Sequence, residues 1–257
     1  MKIDKIKKVS NGKYKIVLED KTILTTYDNV ILNSNILYSK SIDDDLYNKI
    51  VKENDYYDYY NKVIKLISKK LRSQYEIEEY LKKNNLKNED IKKMIDLLKQ
   101  NGYINDEIFT KAYINDKFNF TSDGPNKIKK DLLDLGIIDN IIENNITILD
   151  EKIIKEKLKK IIDKKVKLDH KHSINIIKMK LKQELFNLGY DSYMIEDILN
   201  NVSFNNNITK DYNLLFKKLS NKYDSYELEK KIIQKLYQKG YTKEEINENN
   251  ESVNNFM

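Results

Sequence analysis

The chain contains no cysteine, one proline, six glycines and a single arginine among 257 residues. Without cysteine there is no disulfide framework and no thiolate nucleophile. One proline and six glycines leave little material for the many tight turns of an all-β protein, so the chain is expected to be mainly helical. No apolar run approaches the length of a membrane-spanning helix, and the N-terminus lacks the apolar core of a signal peptide. The expected compartment is therefore the cytoplasm. Phosphate-cradling glycine loops, dinucleotide fingerprints and nucleophile elbows are also missing. The two histidines, His170 and His172, sit one residue apart in a lysine-rich connection that repels cations, which is read as a solvated loop and not as a zinc site.

What the chain does have is repetition. Pro125 follows a polar run and suits the first position of a helix, where its missing N–H is not needed. Gly136, eleven residues later, suits the left-handed residue that stops one. Between them Ile128, Leu132 and Leu135 recur at helical spacing, so 124–137 reads as one short amphipathic helix with both ends marked. Leu132, Ile137 and Ile142 then form an apolar triplet in steps of five. The same triplet recurs 51 residues earlier as Leu81, Leu86 and Ile91. It returns 53 residues later as Leu185, Tyr190 and Ile195, and after a further 51 as Leu236, Tyr241 and Ile246. Four residues before each triplet stands Ile77, Ile128, Leu181 or Ile232. A period near 51 fits three helices with their turns, and fixed-period repetition implies stacked modules in an elongated array.

The expected organisation follows. Residues 1–50 form a small β-rich domain with strands at 2–9, 13–19 and 22–27, a hairpin at Asn11-Gly12 and a second turn at Asp20-Lys21. Three-helix repeats occupy 56–104, 105–150, 151–204 and 205–248, and an Asn- and Glu-rich tail at 249–257 is expected to be disordered. Asp43-Asp44-Asp45 reads as a solvated helix start, with a divalent cation as the rarer alternative. Tyr56, Tyr57, Tyr59 and Tyr60 either pack the strand domain on the first helix or stack on single-stranded bases beside nearby lysines. Ser73 with Glu76 three residues on is a capping box. Helices are expected from Asn88 to Gln100, from near Asn105 with Phe109, Tyr113, Ile114 and Phe118, and with Ile154, Leu158, Ile161 and Ile162 facing inward. Leu214, Leu215, Phe216 and Leu219 lead the fourth unit.

The net charge is +6, yet residues 151–182 hold twelve lysines against four acidic residues, a local balance of +8 that leaves −2 for the remainder. The basicity is local and marks a candidate contact surface.

Several of these residues in order resemble the RecX-type regulators of the RecA recombinase. They are Arg72-Ser73-Gln74-Tyr75-Glu76-Ile77, Gly102-Tyr103-Ile104-Asn105-Asp106, Phe109, Gly124-Pro125-Asn126-Lys127-Ile128 and Leu135-Gly136-Ile137, covering about residues 59–202. The resemblance implies a non-enzymatic regulator, expected to inhibit, that lies along the RecA–DNA filament and modulates its ATPase and strand exchange in recombination and repair. The residues themselves offer no catalytic constellation, metal site, cofactor motif or membrane anchor, and a linear binder of a filament has no need to dimerise, so a monomer is expected, with the RecA filament as partner and single- or double-stranded DNA as a further one. Contact candidates are Lys69, Lys70 and Arg72 in the first unit, Lys127, Lys129 and Lys130 in the second, and Lys178, Lys180 and Lys182 in the third. Two alternatives stay open: a helical-repeat protein that binds DNA without RecA, and a scaffold for another protein.

Overall fold

The computed structural model describes residues 1–9, 12–169, 172–202 and 208–254, with side chains through residue 248. The chain divides into two compact units, Met1–Phe109 and Thr110–Met257.

The first unit begins with three strands, β1 (Ile3–Val9), β2 (Lys13–Leu18) and β3 (Ile23–Tyr27), paired antiparallel in the order β1-β2-β3. Gly12 takes a φ of +68° at the first turn, and Asn11 lies outside the described residues. At the second turn Lys21 is left-handed, and the Asp20 carboxylate accepts from the Thr22 N–H at 2.9 Å. Ile16 and Leu18 point into a core shared with Val30 and Ile31 of α1 (Asp28–Asn33), and with Ile36, Ile42 and Ile50.

Asp43 caps α2 (Asp44–Lys69), accepting from the Leu46 N–H at 2.7 Å, so the acidic triplet is a helix start. The expected domain edge at residue 50 falls inside this 26-residue helix. One helix serves two cores: Ile50, Leu46 and Tyr47 pack on the sheet, while Val63 packs on the first helical module. The tyrosines bridge the same two cores. Tyr57 joins the sheet side, 6.0 Å from the ring of Tyr27, while Tyr56, Tyr59 and Tyr60 join the module side.

Among the described residues the rest is helical, and the helices fall in threes. Module 1 is α2, α3 (Gln74–Lys83) and α4 (Asn88–Gln100). Module 2 is α5 (Asp106–Phe120), α6 (Pro125–Asp134) and α7 (Asp139–Ile146). Module 3 is α8 (Glu151–Leu168), α9 (Ile174–Asn187) and α10 (Ser192–Asn201). Module 4 is α11 (Ile208–Leu219), α12 (Ser225–Gln238) and α13 (Lys243–Asn254). The boundary between the two units cuts α5. The backbone of α13 runs on to Asn254, into the segment expected to be a disordered tail.

The sixteen repeat positions are core. All are buried except Leu86, which is half-buried. The five-residue step has a backbone cause. The N–H of Leu86, Ile137, Tyr190 and Tyr241 donates to the carbonyl of Leu81, Leu132, Leu185 and Leu236, at 3.1–3.2 Å each time. This is the six-to-one bond of a Schellman motif, whose two flanking residues make the accompanying apolar contact. The residue between them must be left-handed. It is Gly136, Gly189 and Gly240 in the later modules and Asn85, at φ +61°, in the first.

Two further features lie outside what the apolar triplets specify. The middle helices α9 and α12 have 14 residues against 10 in α3 and α6, one extra turn at the N-terminal end. In α11 Leu219 is buried but Leu214 and Phe216 are exposed, since adjacent residues lie about 100° apart on a helix and cannot share one face.

Within the second unit, successive modules are joined by one device. The loop that ends the middle helix of one module caps the start of the middle helix of the module before it. Gly124 N–H donates to Leu188 O at 2.6 Å, and Asn126 N–H to Gly189 O at 3.0 Å. One module on, Ser173 N–H donates to Lys239 O at 3.3 Å, and the Ser173 hydroxyl to Gly240 O at 2.8 Å. These bonds satisfy donors that a helix start leaves open. Side chains repeat the pattern, with Asn126 Nδ2 on Asp191 Oδ1 at 2.8 Å and Asn175 Nδ2 on Glu245 Oε2 at 3.2 Å. The approach is too close for a Cβ. One on Gly124 would sit 2.6 Å from Gly189 O, and one on Gly240 would sit 2.5 Å from Ile176 Cδ1.

Candidate partner-binding surface

The candidate lysines lie on, or just before, the middle helices that these caps and joints hold in place. In the first unit Lys69 ends α2 and Lys70 follows as its cap, both exposed. Arg72 Nη1 pairs with Glu76 Oε1 at 2.7 Å, and the other Glu76 oxygen accepts from the Ser73 N–H at 3.1 Å. The capping box thereby orients the arginine.

In the second unit Lys127 pairs with Asp123 at 2.6 Å, while Lys130 is exposed. Lys129 pairs with Glu143 and lies 3.5 Å from Asp139, and the Glu143 hydrogen bond is the main reason its pKa is raised. One module later Lys182 pairs with Glu196 at 2.8 Å. Lys129 and Lys182 are equivalent residues, as are Glu143 and Glu196. The same bridge therefore ties the middle helix to the third helix in modules 2 and 3. Lys178 is half-buried, and Lys180 Nζ lies 3.0 Å from His172 Nε2. His172 Nδ1 in turn meets Asp169 at 2.9 Å; His170 lies outside the described residues. Arg72, Lys127, Lys129, Lys180 and Lys182 are thus oriented by the neighbours named, and Lys69, Lys70 and Lys130 stand out as exposed charges.

Sequence patterning does not single out the polar hub beneath this surface. Asp123 is buried just before Gly124, with Lys117 at 3.6 Å and Lys127 at 2.6 Å. Burial alone would raise its pKa, but hydrogen bonds from Lys127 and Thr121 and the charges of Lys127 and Lys117 outweigh it and bring the pKa down. Lys157, from α8, donates to Phe118 O at 2.5 Å and Asp123 O at 2.9 Å and lies over the Phe118 ring. Burial pulls its ammonium down to about 8, against the opposing charge of Asp123. The hub couples module 3 to the start of α6. Among the described residues no group of three or more His, Asp or Glu side chains is placed to hold a metal ion, and no helix is long and apolar enough to cross a membrane.

No family model matches the chain. Curated relatives do. The regulatory protein RecX of Streptococcus agalactiae (serotype III) is 32% identical over 187 residues, covering 70% of this chain and 72% of that one. The regulatory protein RecX of Halalkalibacterium halodurans is 26% identical over 252 residues, covering 94% and 95%. Among solved structures, a regulatory protein RecX superposes with a TM-score of 0.69 at 22% identity, over 77% of this chain and 98% of that one. RecX from Lactobacillus salivarius superposes with a TM-score of 0.54 at 27% identity, over 58% and 97%. The serotype III relative exceeds 30% identity over most of both lengths, and the solved structures share the helical fold. This chain belongs to the RecX family of regulatory proteins.

Proposed function

We propose that this chain is a non-enzymatic, cytoplasmic regulator of the RecA recombinase. It binds along the RecA–DNA filament and inhibits ATP hydrolysis and strand exchange, with Lys69, Lys70, Arg72, Lys127, Lys129, Lys130, Lys178, Lys180 and Lys182 meeting acidic protein surface or DNA phosphate. The observation that carries this reading is the repeated joint, Gly124 on Leu188 and Ser173 on Lys239, in which the loop ending one middle helix holds the start of the middle helix before it. A surface that repeats suits a partner that repeats, and family membership supplies the context in which RecA is the partner. Fixed, oriented lysines on such a surface favour encounter and register more than raw affinity.

The test is a RecA ATPase and strand-exchange assay on single-stranded DNA with substoichiometric protein added. Both rates should fall. Unchanged rates would remove the proposal. Binding to bare DNA with a logarithmic salt slope of about −0.7 per contacted phosphate, without any effect on RecA, would point to the DNA-binding alternative.

A further inference from the structure

In modules 2, 3 and 4, one residue after the buried leucine of the middle helix stands a large apolar residue that faces solvent. Leu133 is 45% exposed, Phe186 59% and Tyr237 46%. They are related by the shifts that relate Leu132, Leu185 and Leu236, so each occupies the same register position of its helix. In both joints of this unit the start of a middle helix is held on the loop that ends the next one, so the three side chains belong to helices tied one to the next. The core does not call for these side chains. In module 1 the same position is Lys82, an exposed lysine paired with Glu79 at 3.1 Å. A polar residue is tolerated there, and three modules in sequence nonetheless carry an apolar one.

We propose that Leu133, Phe186 and Tyr237 are the apolar anchors of the docking face, one per module. Each enters an apolar hollow rimmed by carboxylates on successive subunits of a protein polymer. The proposal rests on the reading above, in which that polymer is the RecA filament, and it names the face that meets it. Charge complementarity fixes the rim: α6, α9 and α12 carry nine lysines against five carboxylates, and three of the lysines, Lys127, Lys129 and Lys182, are held by carboxylates of neighbouring segments while the others keep the face basic. Exposed Lys130 lies three residues before Leu133, and Lys182 lies four before Phe186, each about one helical turn away. The occupant is protein and not a nucleic-acid strand, because Leu133 has no π-face on which a base could stack. Interfaces of this kind concentrate their energy in a few buried apolar or aromatic anchors inside a polar rim.

The experiment uses the full chain with Leu133→Ser, Phe186→Ser and Tyr237→Ser, singly and together. Binding to RecA filaments on single-stranded DNA and inhibition of their ATPase are the readouts, and circular dichroism checks the fold. Each single change should weaken binding about tenfold and the triple change about a hundredfold or more, as for anchors at an interface centre. Tyr226→Ser, at an exposed position outside the row, should act like wild type, and so should the conservative Tyr237→Phe. If the wild type inhibits RecA and the folded triple variant inhibits equally, the docking face is wrong while the RecA reading stands. If the wild type leaves RecA untouched, both fail.

Discussion

Glycine carries two separate burdens in this chain, and substitution can tell them apart. Gly102 and Gly189 are both left-handed, at φ +71° and +85°, but nothing lies within 4 Å of where a Gly102 Cβ would sit. A Gly189 Cβ would collide with the backbone of Lys127 and lie 2.6 Å from its Cβ. Gly102→Ala should cost about 1 kcal/mol for the left-handed conformation alone. Gly189→Ala should cost about 2–4 kcal/mol, because the module joint must open as well. Urea denaturation of the two variants checks this, and equal losses would mean that the joint contributes nothing. A second residue, Lys157, makes stability depend on pH. Its folded pKa of about 8 lies below the ordinary lysine value of 10.5, so the unfolded chain binds more protons between the two. Stability contributed here therefore rises as pH climbs from about 8 toward 10. Lys157→Met should flatten that rise in thermal melts taken across the window; an unchanged slope would assign it to other groups. Neither burden is legible from composition. The left-handed position can be read from the recurring glycines, whereas the collision depends on backbone more than sixty residues away.

The individual elements show why some features can be read from sequence and others cannot. The capping box at Ser73 and Glu76, the proline start of α6 and the stop at Gly136 are local devices whose partners lie within a few residues, and the structure contains each of them. Ser73→Ala should lower stability by about 0.5–2 kcal/mol through the lost cap, and Ser73→Asp should restore part of it. A melt in which Ser73→Ala matches wild type would remove the cap from the account. The extra turn of α9 and α12 is hidden because the apolar triplets align the C-terminal ends of the middle helices and say nothing about their starts. The edge expected at residue 50 falls within α2 because the tyrosine-rich centre of that helix interrupts the apolar period while the helix continues through it. The Lys129–Glu143 and Lys182–Glu196 bridges are open to discovery, since the shift that aligns the leucines aligns both members of each pair. A lysine count without that alignment cannot separate a paired charge from an exposed one.

For the molecule as a whole, the question is what its lysines do once a partner is near. An exposed ion pair contributes little to stability, so Lys129 and Lys182 are better understood as positioned charges than as supports of the fold. Lys69, Lys70 and Lys130 are exposed and contribute mainly to the field that a partner meets. Replacing all three with glutamine should leave the melting temperature within about 2 °C of wild type, as is usual for surface changes. Association with RecA filaments should slow by about tenfold at low salt while dissociation changes little, the signature of lost steering. If these lysines instead touch phosphate, the logarithmic salt slope of binding should fall by about 0.7 for each one removed, and dissociation should quicken as well. Stopped-flow measurements at several salt concentrations separate the two outcomes, because steering by protein charge alters the approach whereas phosphate contact alters the bound state. An unchanged association rate at every salt concentration would exclude these three residues from the surface altogether. The docking face would then rest on its apolar anchors and on the lysines that the bridges of modules 2 and 3 hold in place.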